Sequence, residues 1–416
     1  MKMPDDFLWG VATSAFQIEG SLDADGRVPS IWDAFSETAG ATMDGDTGAV
    51  ACDHYHRWRD DLGLLTELGV NAYRFSIAWP RMGDPRGVAH YDRLIDGLLE
   101  RGIEPVVTLY HWDLPAELDW RDRDTVERFA EYAATCFDAY ADRVEWWVTI
   151  NEPWIVGVLG YQLGIHAPGV RDLRASVEVM HNLLLAHARA VRALAGRGRA
   201  GIAYSLFPHY AESPADEEVA RLSDGYVNRW FLDPVLKGCY PEDMRALYEE
   251  RLGPLDLEGE TAGGDFVGVN YYTRRVMRRA PGREPFPWEV VVPEGAETTD
   301  GGWEIVPQAL TDLLLRLKAD YGDVPVLVTE NGGIFEEPLH DERRIALLRG
   351  HVDAIRSAVE QGAPVRGYFH WSLLDNFEWA LGYGARFGLV HVDYETQART
   401  VKDSGRAYRA LIEEGL

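Results

Sequence analysis

The chain is expected to fold as an α/β protein, a single-domain (β/α)8 TIM barrel over residues 1–416, and three observations lead there. Eight apolar, β-branched or aromatic runs alternate with segments of helical period, the mark of a parallel sheet wrapped by helices. Those runs are nearly continuous in apolar residues, as strands buried on both faces must be. After the first run, where an open doubly wound sheet often carries a glycine-rich phosphate loop, the chain reads Gly10-Val11-Ala12-Thr13-Ser14-Ala15-Phe16-Gln17, which fits neither GxGxxG nor a P-loop. At 416 residues and no Pro/Ser/Gly linker or low-complexity tract, one large barrel accounts for the whole length.

Taken in order, the strand segments are Leu8–Ser14, Asn71–Ile77, Pro105–Tyr110, Val144–Ile150, Ala200–Phe207, Phe266–Tyr272, Val324–Thr329 and Val365–Leu373. Between them, Asp53–Leu68, Thr125–Ala141, Leu173–Leu194, Pro307–Tyr321 and Asp341–Gln361 place apolar residues at helical spacing. Pro153–Val170 is uncharged, but two prolines, four glycines, Gln162 and His166 deny it the ~20 mostly apolar residues of a membrane span. It reads as a loop and short helix.

Composition narrows the function. The formal net charge is −27, from 68 acidic and 41 basic residues. A field of that sign repels nucleic acid and anionic membranes, so neither is expected as a partner. Only Lys2, Lys237, Lys318 and Lys402 are lysines. Adaptation to concentrated salt and a genome favouring arginine both fit that bias. Cys52, Cys136 and Cys239 form no CxxC or Cys/His cluster, which fits a reducing compartment and excludes a disulfide framework. The N-terminus lacks the basic and apolar regions of a secretory signal, so a cytoplasmic location is expected, with homo-oligomerisation left open.

In a barrel of this kind chemistry sits at the C-terminal ends of the strands. Those ends carry Gln17, Arg74, His111, Asn151-Glu152, Asn270-Tyr271-Tyr272, Glu330 and the stretch Trp371–Trp379. Glu152 and Glu330 each adjoin an asparagine at the end of a strand-forming run, with the carboxylate expected where the backbone leaves the sheet. Two carboxyl groups on one rim are what glycosidic bond cleavage requires: one protonates the departing oxygen, and the other meets the charge developing at the anomeric carbon. A buried Arg74 would hold Glu330 ionised, and Tyr272 could donate its hydroxyl to the same carboxylate. Sugars are bound by planar hydrogen bonds and by aromatic faces, and Glu378 beside Trp379, downstream of Trp371, supplies both.

The chain resembles the family one glycoside hydrolases, the retaining β-glucosidases and β-galactosidases, almost end to end. The resemblance runs through Phe7–Ser14, Gln17–Gly20, Ala51–Arg57, Tyr73–Trp79, Thr108–Pro115 and Asn151-Glu152-Pro153. It continues in Asn228–Pro234, Asn270-Tyr271-Tyr272, Gly302-Trp303-Glu304, Thr329–Gly332, Trp371–Trp379 and Arg386–Leu389. It implies Glu330 as nucleophile and Glu152 as acid/base. It further implies Gln17, His111, Asn151, Glu378 and Trp379 as ligands of the non-reducing sugar, with Trp371 as a stacking floor. Arg74, Asn270 and Tyr272 would position the nucleophile, and Trp303 would line the leaving-group side.

No metal or cofactor is implied, and the partner is a small β-glycoside: a β-glucoside, with β-galactosides or β-fucosides tolerated. Glu152 marks an O-glycosidase rather than a thioglucosidase, and Glu378 disfavours a 6-phosphorylated sugar. The arginines 274, 275, 278 and 279 are read as a solvated loop. Pro80–Gly87 and Arg274–Asp300 are shorter than the family pattern, which leaves aglycone preference, and the balance between hydrolysis and transglycosylation, open. A non-catalytic sugar-binding barrel would need one glutamate missing, and both are present.

Overall fold

The computed structural model describes residues 3–415. Eight parallel strands close into a barrel: β1 (Leu8–Ala12), β2 (Ala72–Ser76), β3 (Glu104–Tyr110), β4 (Trp146–Asn151), β5 (Arg199–Ser205), β6 (Phe266–Asn270), β7 (Val326–Asn331) and β8 (Val365–Trp371). Each pairs with its sequence neighbours, and β1 closes the ring on β8 through Leu8↔Gly367 to Ala12↔Trp371. All eight expected strand segments overlap one of these strands, with ends that differ by two residues or fewer.

The barrel interior holds Ala12, Ala72, Val106, Trp146, Val148, Ala203, Phe266, Leu327 and Phe369, large residues set among small ones. Glycines make that interdigitation possible. A Cβ on Gly10 would lie 2.3 Å from the Phe369 ring, so only a bare Cα admits the ring there. A second, larger apolar layer fills the space between the strands and the surrounding helices.

Helices His54–Leu68, Asp124–Tyr140, Leu173–Leu194, Pro307–Tyr321 and Glu342–Glu360 match the expected segments to within a residue or two. The helix Pro85–Leu99 was not among them. Its start is nevertheless well specified, with Asp84 accepting from the Arg86 backbone N–H and Pro85 in the first turn. It buries Tyr91, Leu94, Ile95 and Leu98.

Two further segments concern the rim. Pro153–Val170 is a short helix and a loop, as expected, with Pro153–Ile155 running directly into a π-helix over Val156–Gln162. The arginine-rich stretch is a strand and not a loop, Arg275–Arg279, paired in antiparallel fashion with Trp288–Val291 and in parallel with His209–Ala211. Its charges are arranged accordingly, with Arg278 on Glu289 at 2.7 Å and Arg279 on Glu218 at 2.8 Å. Among the described residues no helix is long and apolar enough to cross a membrane.

Candidate active site

The strands that carry the two glutamates end irregularly. β7 slips register against β6 between Val328 and Glu330, and against β8 between Val328 and Asn331. β4 slips against β5 between Val148 and Asn151. Such irregularities re-aim side chains at the end of a strand. Glu330 therefore lies inside β7, which runs on to Asn331, and not at the point where the backbone leaves the sheet, as the sequence had implied. Glu152 does lie at that point, one residue past β4, with its backbone in the left-handed region at φ 49°. Trp112 (φ 76°) and Trp379 (φ 52°) share that conformation on the same rim. Left-handed backbone at non-glycine residues is sustained only where the surroundings enforce it, and it clusters at working sites.

Glu330 is gripped on both oxygens. Arg74 Nη1 donates to Oε1 at 2.6 Å and the Tyr272 hydroxyl donates to Oε2 at 2.7 Å. Arg74 is fully buried and is itself fixed, with Nε on the Thr108 hydroxyl and Nη2 on Asn151 Oδ1 at 2.7 Å. Glu152 receives a hydrogen bond from a neutral group, Asn270 Nδ2, at 3.0 Å. The Asn270 amide is oriented by Thr329, whose hydroxyl donates to its Oδ1 at 2.7 Å.

Those partners separate the two carboxyl groups electrostatically. Burial, with the charge of Glu330 added, pushes Glu152 up to about 8. Burial raises Glu330 as well, but the Arg74 charge and the bonds from Tyr272 and Arg74 oppose it. In a pair sharing one negative charge the anion belongs on Glu330 and the proton on Glu152.

Around this pair the other expected residues gather. Gln17 Nε2 donates to Glu378 Oε2 at 3.1 Å, to Asn376 Oδ1 and to the Phe377 carbonyl, while the Ser14 hydroxyl holds its oxygen at 2.6 Å. Asn151 accepts at Oδ1 from Arg74 and Asn270, so its Nδ2 donates to His111 Nε2 at 3.1 Å. That contact fixes the His111 tautomer with hydrogen on Nδ1, which has no hydrogen-bond partner among the described residues. Burial and the Arg74 charge keep His111 neutral, far below its usual range. Trp371 stacks on His111 at 5.6 Å between ring centroids. Glu378 is raised to about 8 by burial and by Glu330.

A cavity of about 590 Å³ joins these groups; Trp303, which packs on Tyr272 and Phe387, lines its far side. Every residue expected at the site borders this cavity or is hydrogen-bonded to one that does.

Several participants were not singled out from the sequence. Trp112 donates Nε1–H to the Asn151 carbonyl at 3.0 Å and lines the cavity; it lies within the Thr108–Pro115 motif, which marks only His111 for a role. Asn376 sits within the Trp371–Trp379 stretch and braces Gln17. Ile155, Leu159, Ile165 and the Val290–Val292 segment line the outer wall, and no motif marks them. Among the described residues no group of three or more His, Cys, Asp or Glu side chains is disposed to hold a metal ion.

The family model described as glycosyl hydrolase family 1 matches residues 1–415. β-Glucosidase A of Acetivibrio thermocellus is 44% identical, with 99% of this chain and 98% of that protein aligned. A bifunctional β-D-glucosidase/β-D-fucosidase of Bifidobacterium breve is 42% identical over 99% of this chain and 98% of its own length. Among solved structures, the β-glucosidase of Thermotoga maritima in complex with glucoimidazole superposes with a TM-score of 0.94 at 42% identity, covering 100% of this chain and 99% of that one.

Proposed function

The chain belongs to glycosyl hydrolase family 1, and we propose that it is a retaining, exo-acting β-glucosidase that releases terminal β-D-glucosyl residues and tolerates β-fucosides. The observation that carries this reading is the unequal treatment of the two glutamates. Glu330 has a cation and a phenol on its two oxygens, while Glu152 has a neutral amide. The first arrangement favours a nucleophilic anion and the second a proton donor.

The Asn270 amide donates to Glu152, and Glu152 and Glu330 line the same cavity. With the family membership, that supports double displacement, in which the two carboxyl groups stand ~5 Å apart. In the first step Glu330 attacks the anomeric carbon as Glu152 protonates the departing oxygen, leaving a covalent glycosyl-enzyme. In the second Glu152, now ionised, takes a proton from water, which displaces Glu330. Gln17 and Glu378 would hold hydroxyls of the sugar, the free Nδ1–H of His111 would donate to another, and the 2-hydroxyl would lie near Asn151. Trp371 would form the floor. Gln17, Trp371 and Trp379 are nearly fully buried, which supports a pocket closed behind one sugar ring.

The thiols of Cys52, Cys136 and Cys239 are all unpaired, which supports work in a reducing, cytoplasmic compartment.

Replacing Glu330 with Gln is expected to lower kcat on 4-nitrophenyl β-glucoside by about 10⁴-fold or more; near wild-type turnover would sink the assignment. Glu152→Ala is expected to slow phenyl β-glucoside far more than 2,4-dinitrophenyl β-glucoside, since only the poor leaving group needs the proton. Equal losses on both would remove Glu152 from the acid role.

A further inference from the structure

The aglycone end of the pocket holds an arginine that makes no ion pair among the described residues. Arg275 opens the strand beyond β6 and lines the cavity, and its backbone N–H is bonded to the Pro208 carbonyl. Its guanidinium lies 4.2 Å from the Phe207 ring centroid and 4.8 Å from that of Trp154. Among the described residues it has neither an ion pair nor a side-chain hydrogen bond, whereas its neighbour Arg274 is matched by both oxygens of Glu304, each at 2.8 Å. Burial pulls Arg275 down to about 10, and Tyr226 alone opposes that fall; no carboxylate contributes. Two aromatic faces offset part of the desolvation of a guanidinium. They leave the N–H donors on its edge unused, and those donors form the planar fork that matches a carboxylate.

The location of Arg275 settles which part of a substrate would meet it. Gln17, His111 and the Trp371–Trp379 stretch follow β1, β3 and β8, while Arg275, Phe207 and Trp154 follow β6, β5 and β4. Glu152 is on that second side, directly before Pro153 and Trp154, and the group it protonates departs there. The wall nearby is apolar: Ile155, Leu159, Ile165, Val290 and Val292 line the cavity. Ile165, Val290 and Val292 are 49%, 49% and 52% exposed, unusual for such residues unless something covers them.

We infer that the leaving-group subsite takes an apolar, aromatic aglycone that bears a carboxylate, with Arg275 as the specificity-determining residue that pairs with it. This rests on the β-glucosidase reading and adds the substrate class. One negative charge is the match for one guanidinium. A phosphate would bring a second charge into a pocket that already holds the Glu330 anion, on a protein of net charge −27. A second sugar ring would lie against Ile155, Leu159, Ile165, Val290 and Val292, whose side chains offer its hydroxyls no hydrogen bond.

The test compares kcat/KM for 4-(carboxymethyl)phenyl β-D-glucoside with that for its methyl ester. The methylene insulates the phenolic oxygen, so the two leaving groups are nearly equal in basicity. The wild-type protein is expected to favour the acid by about tenfold, Arg275→Met to bring the ratio to about one, and Arg275→Lys to keep an intermediate preference. A wild-type ratio of one or below overturns the inference, and so does a preference that survives in Arg275→Met. If Arg275→Met does not fold, the wild-type and lysine ratios still decide. Turnover of both glucosides without preference removes only the aglycone assignment, whereas no turnover of either removes the β-glucosidase reading with it.

Discussion

At the end of the pocket built after β1, β3 and β8, polar side chains hold one another in place: Ser14 fixes Gln17, Gln17 fixes Glu378, and Asn151 fixes His111. At the opposite end, built after β4, β5 and β6, Ile155, Leu159, Ile165, Val290 and Val292 offer carbon, and Arg275, stacked on Phe207, has no ion pair among the described residues. The first end admits one arrangement of hydroxyls, because a misplaced group would leave buried donors and acceptors unsatisfied. The second constrains by shape and a single charge. Stringency toward the sugar and latitude toward the leaving group follow from this difference in construction.

The largest effect expected from the comparison is at Glu378. Glu378→Gln keeps the shape and removes the charge that would receive sugar hydroxyls, so kcat/KM on aryl β-glucosides should fall about 100-fold. The relative rates of a panel of aglycones should stay the same. If the aglycone ranking changes along with the rate, the two ends are one coupled site and the contrast fails.

The next effect is the pH dependence, which locates the proton. Glu152 is raised to about 8 by burial and its neighbour Glu330, so it is protonated below that pH and loses its proton above it. For phenyl β-glucoside kcat/KM should therefore fall about tenfold per unit above pH 8. Glu378 is also raised to about 8, but it receives sugar hydroxyls as the carboxylate, so its ionisation would raise kcat/KM and not lower it. A 2,4-dinitrophenyl leaving group needs no proton. Its profile should show no falling limb through the same range if Glu152 is responsible, and an equal fall for both substrates would remove Glu152 from that role.

The same division governs how much of the molecule could be read in advance. The eight strands and most helices were legible because near-continuous apolar runs and helical spacing are local signals. The polar end of the pocket was legible because its residues sit at strand ends in short motifs such as Thr329-Glu330-Asn331 and Asn151-Glu152-Pro153. What was not legible depends on pairing across the chain. Glu330 sits within β7 because of a register slip that only the neighbouring strands define. The strand Arg275–Arg279 looks like a solvated loop because Val276-Met277 between paired arginines shows no two-residue alternation, and its partners are His209–Ala211 and Trp288–Val291. The wall formed by Ile165 and Val292 has no signature, since scattered apolar residues in rim segments are common and only the closed barrel mouth brings these two together.

The smallest predicted effect tests whether the ends are energetically independent. Ile165→Ser removes apolar surface from the outer wall, and half of that side chain is already exposed, so the transfer term is small. On an extended aryl glucoside kcat/KM should fall about threefold, with no change on methyl β-glucoside, which does not reach the wall. In the double variant Glu378→Gln/Ile165→Ser the two losses should multiply, with a coupling of no more than about 0.5 kcal/mol, as sites without shared partners show. Ile165 lies past the π-helix that follows Glu152, while Glu378 is braced from β1; besides the bound substrate, the ring contacts of His166 with Trp32 and Trp112, and of both with Trp379, connect their neighbourhoods. A larger coupling would mean that the substrate or these rings transmit strain from one end to the other, and that sugar recognition and leaving-group recognition are a single event in the transition state.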